Sequence, residues 1–322
     1  MEFELVERIR RRAGARGDVV LGIGDDAALL APPPGMLLAV ATDTLNIDVH
    51  FPGETAPADI GWKALAVNLS DLAAMGATPA WATLSLSLPH ADVAWVDAFL
   101  DGFLELAARH DVALVGGDTT RGPLSVCVTV HGFVAPGAAL RRDGARAGDD
   151  VWVTGTFGDA AAALVQWRAG GAADPGLRVR LNRPVPRIDA GLALAAGIAH
   201  AAIDVSDGLL ADLGHACAAS GVGAEVELAA LPASDALASR FDAEARRTLQ
   251  AGGGDDYELC FTASPAQRDA VAALAARSAT PVARIGRIVA GDRVRALLPD
   301  GSEWAAPRAG HVHFREPGAG SR

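Results

Sequence analysis

The chain has 322 residues, half of them apolar and 21% charged, which suits two domains of about 100 to 200 residues each and excludes wholesale disorder. Acidic residues outnumber basic ones 39 to 28, and the formal charge of −11 argues against a general binder of nucleic acid or anionic membrane. Cys127, Cys217 and Cys260 stand far apart in apolar runs, so the expectation is free buried thiols in a reducing compartment. No apolar stretch follows Met1-Glu2-Phe3-Glu4 as in a signal peptide, and no long uncharged run could span a membrane. A cytoplasmic protein is expected.

In chain order, Phe3, Val6 and Ile9 recur at helical spacing and predict a first helix. The apolar run Met36–Thr42 predicts a strand that ends at Asp43. Asp59 is the expected N-cap of a helix from Ile60 to Met75, stopped by Gly76 and Pro79. A strand over Ala80–Leu88 follows, then an amphipathic helix over Asp92–His110, a short strand at Val112–Val115 and a longer one at Leu124–Val134. Between Ala135 and Asp150, proline, glycine and charge of both signs predict the joint between domains at 1–138 and 149–322. The second half predicts strands at Val151–Thr154, Ala201–Val205, Ala224–Leu228, Tyr257–Thr262 and Val282–Val289. Its predicted helices are Asp159–Arg168, Leu209–Ser220 (ended by Gly221) and Pro265–Arg277. Both halves are therefore α/β, with α+β mixed sheets, and the Gly/Ser-rich tail from Pro317 is expected to fray.

The aspartates carry the functional signal. Asp25 and Asp26 follow Gly22-Ile23-Gly24, Asp43 follows a strand, and Asp118 follows Val115-Gly116-Gly117. Asp204 closes a predicted strand with Asp207 three residues on, and Asp255-Asp256 follow three glycines. Short carboxylates beyond strand ends, beside glycines, suit a hard cation such as Mg²⁺ together with substrate phosphates. One Gly-Asp pair is more often a plain turn; the recurrence of five such clusters favours a site. Asn68 and Asp71, one turn apart on a helix, face either a wet cleft or cation, or form a solvent-facing stripe. Lys63, the sole lysine, lies in no P-loop and no protein-kinase signature, and Gly22–Gly24 lacks the remainder of a dinucleotide fingerprint.

Taken together, Gly22-Ile23-Gly24-Asp25-Asp26, Thr42-Asp43-Thr44, Val49-His50-Phe51 and Gly61-Trp62-Lys63 through Asn68-Leu69-Ser70-Asp71 resemble the N-terminal half of thiamine-monophosphate kinases. Gly116-Gly117-Asp118-Thr119, Arg142-Asp143-Gly144, Gly155-Thr156-Phe157-Gly158-Asp159, Asp204-Val205-Ser206-Asp207-Gly208 and Gly254-Asp255-Asp256-Tyr257-Glu258 continue the resemblance in order. It implies a two-domain, aminoimidazole ribonucleotide synthetase-like fold and a homodimer formed through the N-terminal domains. The N-terminal domain would bind ATP and Mg²⁺, and the C-terminal one would complete the nucleotide and substrate site. By position, Asp26, Thr42, Asp43, Asp71, Asp118, Asp204 and Asp207 would hold Mg²⁺, with Asp43, Asp71 and Asp118 at the catalytic centre. Gly117, Asp118, Arg142 and Ser206 would contact ATP, and His50, Asp255 and His311 the substrate. Asp255 stands where the family motif has Glu, and His311 where it has Trp or Tyr.

The implied reaction is ATP-dependent phosphorylation of thiamine monophosphate to thiamine diphosphate. Its acceptor is a phosphate monoester with a second pKa of about 6, already ionised at neutral pH, so no general base is needed. The charge problem is repulsion between two polyanions in an acidic protein, which several Mg²⁺ ions would relieve. Two rivals are a sister synthetase, acting on a purine precursor or selenide, and a non-catalytic metal-binding dimeric scaffold. Selenide chemistry would want a Cys or Lys near the N-terminal Gly-rich segment, and the chain has neither there.

Overall fold

The computed structural model describes residues 2–307 and Gly310; His311 and the tail from Pro317 lie outside the described residues. The chain forms two compact units, one of residues up to Leu140 plus Asn182–Ile198, the other of Arg141–Leu181 plus the chain from Ala199 onward. Among the described residues, no helix is long and apolar enough to cross a membrane.

The first unit contains α1 (Glu2–Arg12), β1 (Val19–Leu21), β2 (Leu29–Leu30), β3 (Leu37–Asn46), α2 (Pro57–Ala74), β4 (Thr78–Leu88), α3 (Val93–Arg109), β5 (Ala113–Arg121) and β6 (Ser125–Val134). Its main sheet has the order β3-β6-β4-β5, with only β4 and β5 parallel. Helix α2 packs on β3, β6 and α3, and every residue from Ile60 to Ser70 is buried. That burial on all sides explains its apolar composition, broken only by a few polar groups with internal partners. Helices α2 and α3 cross closely because Gly102 has no side chain: a Cβ there would lie 1.7 Å from the Ala58 carbonyl oxygen.

Three expectations need correction in this unit. Strand β3 does not stop at Asp43 but runs to Asn46, because antiparallel pairing with β6 continues from Leu37↔Val134 to Asn46↔Ser125. Likewise β5 continues past Gly116-Gly117 to Arg121, held by parallel pairing with β4. Helix α2 starts earlier, with Pro57 in its first turn and Ala56 as an N-cap without a side-chain bond. Asp59, the expected cap, instead accepts from Arg183 Nε at 2.5 Å and Asn182 Nδ2 at 3.2 Å. Asp92 does cap α3, accepting from the Trp95 N–H.

The returning segment carries α6 (Ile188–Ala195), which follows α5 (Pro175–Asn182) of the second half. It packs against α2: Trp62 Nε1 donates to the Pro184 carbonyl at 2.8 Å, and the Arg109 and Arg183 guanidinium groups lie over the Trp62 ring.

The second unit builds a six-stranded sheet in the order β12-β9-β11-β7-β10-β8 from β7 (Asp150–Thr154), β8 (Ala201–Asp204), β9 (Gly223–Glu227), β10 (Leu259–Ala263), β11 (Val282–Val289) and β12 (Val294–Leu297). Its pairs are antiparallel apart from β12 with β9. Helices α4 (Asp159–Arg168), α5, α7 (Leu209–Ser220), α8 (Asp235–Arg240), α9 (Ala243–Gly252) and α10 (Arg268–Arg277) belong to it, and the predicted helix from Pro265 begins as a 3₁₀ turn. Val153, Ile203, Leu213, Val226 and Ile285 centre its core. All three cysteines are free; Cys217 and Cys260 are buried, whereas Cys127 is only half-buried.

Candidate functional site

In the first unit Asp43 and Asp118 sit on strands and Asp71 on helix α2 rather than in loops beyond strand ends, whereas Asp26 lies in a turn after β1. The Asp43 N–H donates to Asn68 Oδ1 at 2.9 Å, and Asn68 Nδ2 donates to the Ala64 carbonyl at 2.9 Å. Asn68 is fully buried, so it faces neither solvent nor a wet cleft but ties β3 to α2. Asp71, one turn on, is half-buried and breaks the buried run of α2. Burial raises the Asp43 carboxyl above its ordinary value.

Asp26 is exposed, and its N–H donates to Asp25 Oδ1 at 2.8 Å in the turn after Gly24. Thr42 is exposed, sharing a 2.5 Å hydroxyl contact with Thr129 on β6. Asp118 is exposed on β5 opposite Ser85. Beside it Gly117 has φ 144°, and a Cβ there would meet the Leu84 carbonyl oxygen at 1.8 Å, so no other residue fits. His50 Nδ1 accepts from the Asn46 N–H at 3.0 Å, which places the proton of the neutral ring on Nε2. Lys63, 2% exposed, donates to the His50 carbonyl at 2.9 Å.

In the second unit Asp204 ends β8, and Ser206, Asp207 and Gly208 form the turn into α7. The N–H groups of these three donate to Asp212 Oδ2 at 3.0 to 3.1 Å. Burial pushes the Asp212 carboxyl up to about 7; the Asp204 and Asp207 charges add to this, and the N–H bonds oppose it. Asp255 and Tyr257 both take the left-handed backbone, at φ 67° and 50°. The Asp255 N–H donates to the Ser206 carbonyl at 2.8 Å, and the Tyr257 hydroxyl donates to Asp255 Oδ1 at 3.2 Å. Arg142 is exposed, and its guanidinium makes no ion pair or hydrogen bond among the described residues, whereas Arg141 is paired with Asp143. His311 lies outside the described residues.

Beneath this turn is a network that sequence reasoning missed. Arg180 donates to Glu258 Oε1 at 2.6 Å, and Thr154 Oγ1 donates to Glu258 Oε2 at 2.7 Å. Both Asp256 oxygens accept from the Gly158 N–H, at 3.0 and 3.1 Å. Burial alone would lower the Arg180 pKa, but Glu258, Asp256 and Asp159 together raise it. Burial drives the Asp256 carboxyl well above its ordinary value, Arg180 and the Gly158 N–H oppose this, and Asp159 and Glu258 reinforce it.

Among the described residues, no three His, Cys, Asp or Glu side chains converge on one point. What the first unit offers is a set of carboxylate and hydroxyl oxygens, that of Asp43 partly desolvated. This donor set fits Mg²⁺, which takes one or two protein carboxylates and fills its other positions with water and phosphate.

Residues 24–134 match the N-terminal domain of AIR synthase related proteins, and residues 146–298 match the C-terminal domain. The chain is 46% identical to the thiamine-monophosphate kinase of Escherichia coli K12, over 98% of this chain and 99% of that protein. The chain belongs to the thiamine-monophosphate kinase family. Within it, the crystal structure of the Stenotrophomonas maltophilia K279a enzyme superposes with a TM-score of 0.87 at 56% identity, covering 94% of this chain and 97% of that one. AaThiL complexed with AMPPCP and TMP superposes at 0.77 with 30% identity, over 97% of both chains. Neither Asp212 nor Arg180 was singled out from the sequence, and Asp256, singled out there as a cation-site carboxylate, is instead buried against the Gly158 N–H. A signal for Asp212 was present: an acidic residue four positions after Gly208, in the first turn of a predicted helix.

Proposed function

We propose that the protein transfers the γ-phosphoryl group of ATP to thiamine monophosphate, giving thiamine diphosphate and ADP. The observation that carries this reading is the 46% identity to the E. coli enzyme across nearly the whole of both chains. The ligand pair of AaThiL, AMPPCP and TMP, supports the same donor and acceptor.

In the first unit Asp26, Thr42, Asp43, Asp71 and Asp118 would hold Mg²⁺, and in the second Asp204 and Asp207. Bound there, Mg²⁺ neutralises phosphate charge during transfer. The acceptor phosphate supplies its own ionised oxygen, so the protein orients it rather than deprotonating it. His50, whose Nδ1 accepts from the Asn46 N–H and so carries its ring proton on Nε2, would contact the substrate, and Arg142, whose guanidinium has no partner among the described residues, suits the nucleotide phosphates. Transfer is direct and in line, without a phosphoenzyme; a phosphorylated protein trapped in a single turnover would refute this step.

The test is product formation from ATP, Mg²⁺ and thiamine monophosphate, with free thiamine as a parallel acceptor. Thiamine diphosphate from the monophosphate alone is the expected result. Mg²⁺-dependent ATP binding without transfer would point to a sister synthetase, and metal-dependent stabilisation without any nucleotide effect to a scaffold. Arg142→Ala is expected to raise the KM for ATP at least tenfold while the KM for the acceptor stays within about twofold. The opposite pattern would move Arg142 out of the nucleotide site.

The working form is a homodimer in the cytoplasm, a placement in keeping with three free thiols. Strand β3 exposes Leu38 and Val40, two residues apart on one face, at 49% and 56%, an apolar face suited to a second copy. Val40→Lys is expected to shift the mass seen by light scattering from two copies to one; an unchanged mass would remove β3 from the interface.

A further inference from the structure

We propose that Asp212 is a positioning residue, whose carboxylate sets the shape of the Ser206–Gly208 turn so that the Ser206 and Asp207 side chains meet the nucleotide and its metal. This rests on the kinase reading of that turn.

The entry to α7 leaves several N–H groups without intrahelical partners. A side chain at the N-cap usually satisfies them, but the N-cap here is Gly208, which has none. Asp212 substitutes from inside the helix, reaching back so that a single oxygen takes three consecutive N–H groups. On the other side of the turn, the Ser206 carbonyl accepts from the Asp255 N–H and the Val205 carbonyl from the Tyr257 N–H, each at 2.8 Å. The backbone is thus held from both sides. Among the described residues, neither the Ser206 hydroxyl nor the Asp207 carboxylate makes a hydrogen bond.

The arrangement is costly as a stability device. Asp212 is 4% exposed and lies within the field of Asp204 and Asp207, two further acidic groups. It also reverses the usual use of a Gly-rich turn before a helix, where free N–H groups cradle phosphate. Here Asp212 consumes those N–H groups, so phosphate and metal are met by the side chains of the turn. Removing the carboxylate would both loosen the turn and expose N–H groups that the wild-type protein withholds.

The experiment compares the full-length wild type with Asp212→Ala and Asp212→Asn. Asn keeps a carbonyl oxygen able to accept the same bonds. Hydrogen–deuterium exchange at the Ser206–Gly208 amides, affinity for a non-hydrolysable ATP analogue with Mg²⁺, and acceptor KM are read in each. In Asp212→Ala we expect those amides to exchange at least tenfold faster and analogue affinity to fall at least tenfold, with acceptor KM within twofold. Asp212→Asn should recover affinity to within threefold of wild type. Should the Ala variant not fold, Asp212→Ser, too short to span the turn, gives the same readings. Analogue affinity within twofold of wild type despite faster exchange would overturn the proposal, as would Asn failing to restore affinity. A wild type that makes no thiamine diphosphate, yet binds the analogue in an Asp212-dependent way, would sink the kinase reading and leave this one standing.

Discussion

Asp71→Asn is expected to lower kcat at least a hundredfold, a loss of about 2.7 kcal/mol of transition-state stabilisation. The substitution keeps the shape of the side chain and removes its charge. Asp71 is where α2, buried without interruption from Ile60 to Ser70, first opens, one turn beyond the Asn68 that anchors Asp43. Under the proposed function the Asp71 charge would help balance the transferring phosphoryl group, and such preorganised charges act most strongly in the transition state. KM for either substrate should change far less than kcat, and the melting temperature should stay close to that of wild type. A fall in kcat of fivefold or less would make Asp71 an ordinary half-buried helix residue and return attention to Asp43 and Asp118.

Arg180→Met is expected to cost about 3–5 kcal/mol of stability, the usual penalty for stripping the partner from a buried charge. Glu258 is fully buried, and the substitution removes the guanidinium that donates to its Oε1 at 2.6 Å. Urea unfolding should show a lower midpoint, and Arg180→Met combined with Glu258→Gln should recover much of the loss, because the second change removes the buried charge that Arg180 balanced. An unaltered midpoint in the single variant would mean that water replaces the guanidinium. Asp256→Asn should behave oppositely. The folded Asp256 binds its proton more tightly than the unfolded chain does, so its contribution to stability declines as pH rises above the ordinary carboxylate value of 3.8. Asn retains an acceptor for the Gly158 N–H and has no proton to lose. The melting-temperature difference between Asp256→Asn and wild type should therefore grow in favour of the variant between pH 4 and pH 8; a constant difference would contradict this.

Elements with strong local signals were legible from the sequence. Helix α4 has the predicted bounds, α7 ends where Gly221 takes the left-handed conformation at φ 67°, and β11 matches its run of branched residues. Helices α8 and α9 were not predicted, although Ser234 and Asp242 cap them in the standard manner, because their apolar patterns are short. The ends of β3 and β5 were misread because pairing with a neighbouring strand, rather than local composition, carries them onward. Motif order singled out the carboxylates proposed for the site. Their supports were hidden for a physical reason: the Arg180–Glu258 bond joins residues 78 positions apart, and the Asn68–Asp43 bond joins a helix to a strand 25 positions earlier.

The path of the chain through Asn182–Ile198 bears on how this protein could be taken apart. That stretch follows the opening strand and two helices of the second unit, yet it belongs to the first, where it supplies the partners of Trp62 and Asp59 and the helix lying against Ala73. No single scission therefore releases either unit whole. A fragment ending at Leu140 would leave one flank of its central helix bare, and a fragment beginning at Arg141 would carry a helix whose partner had been left behind. Synthesised from its N-terminus, the first unit cannot close until the chain has passed through β7 and two helices of the second, which makes the folding of the two interdependent in time.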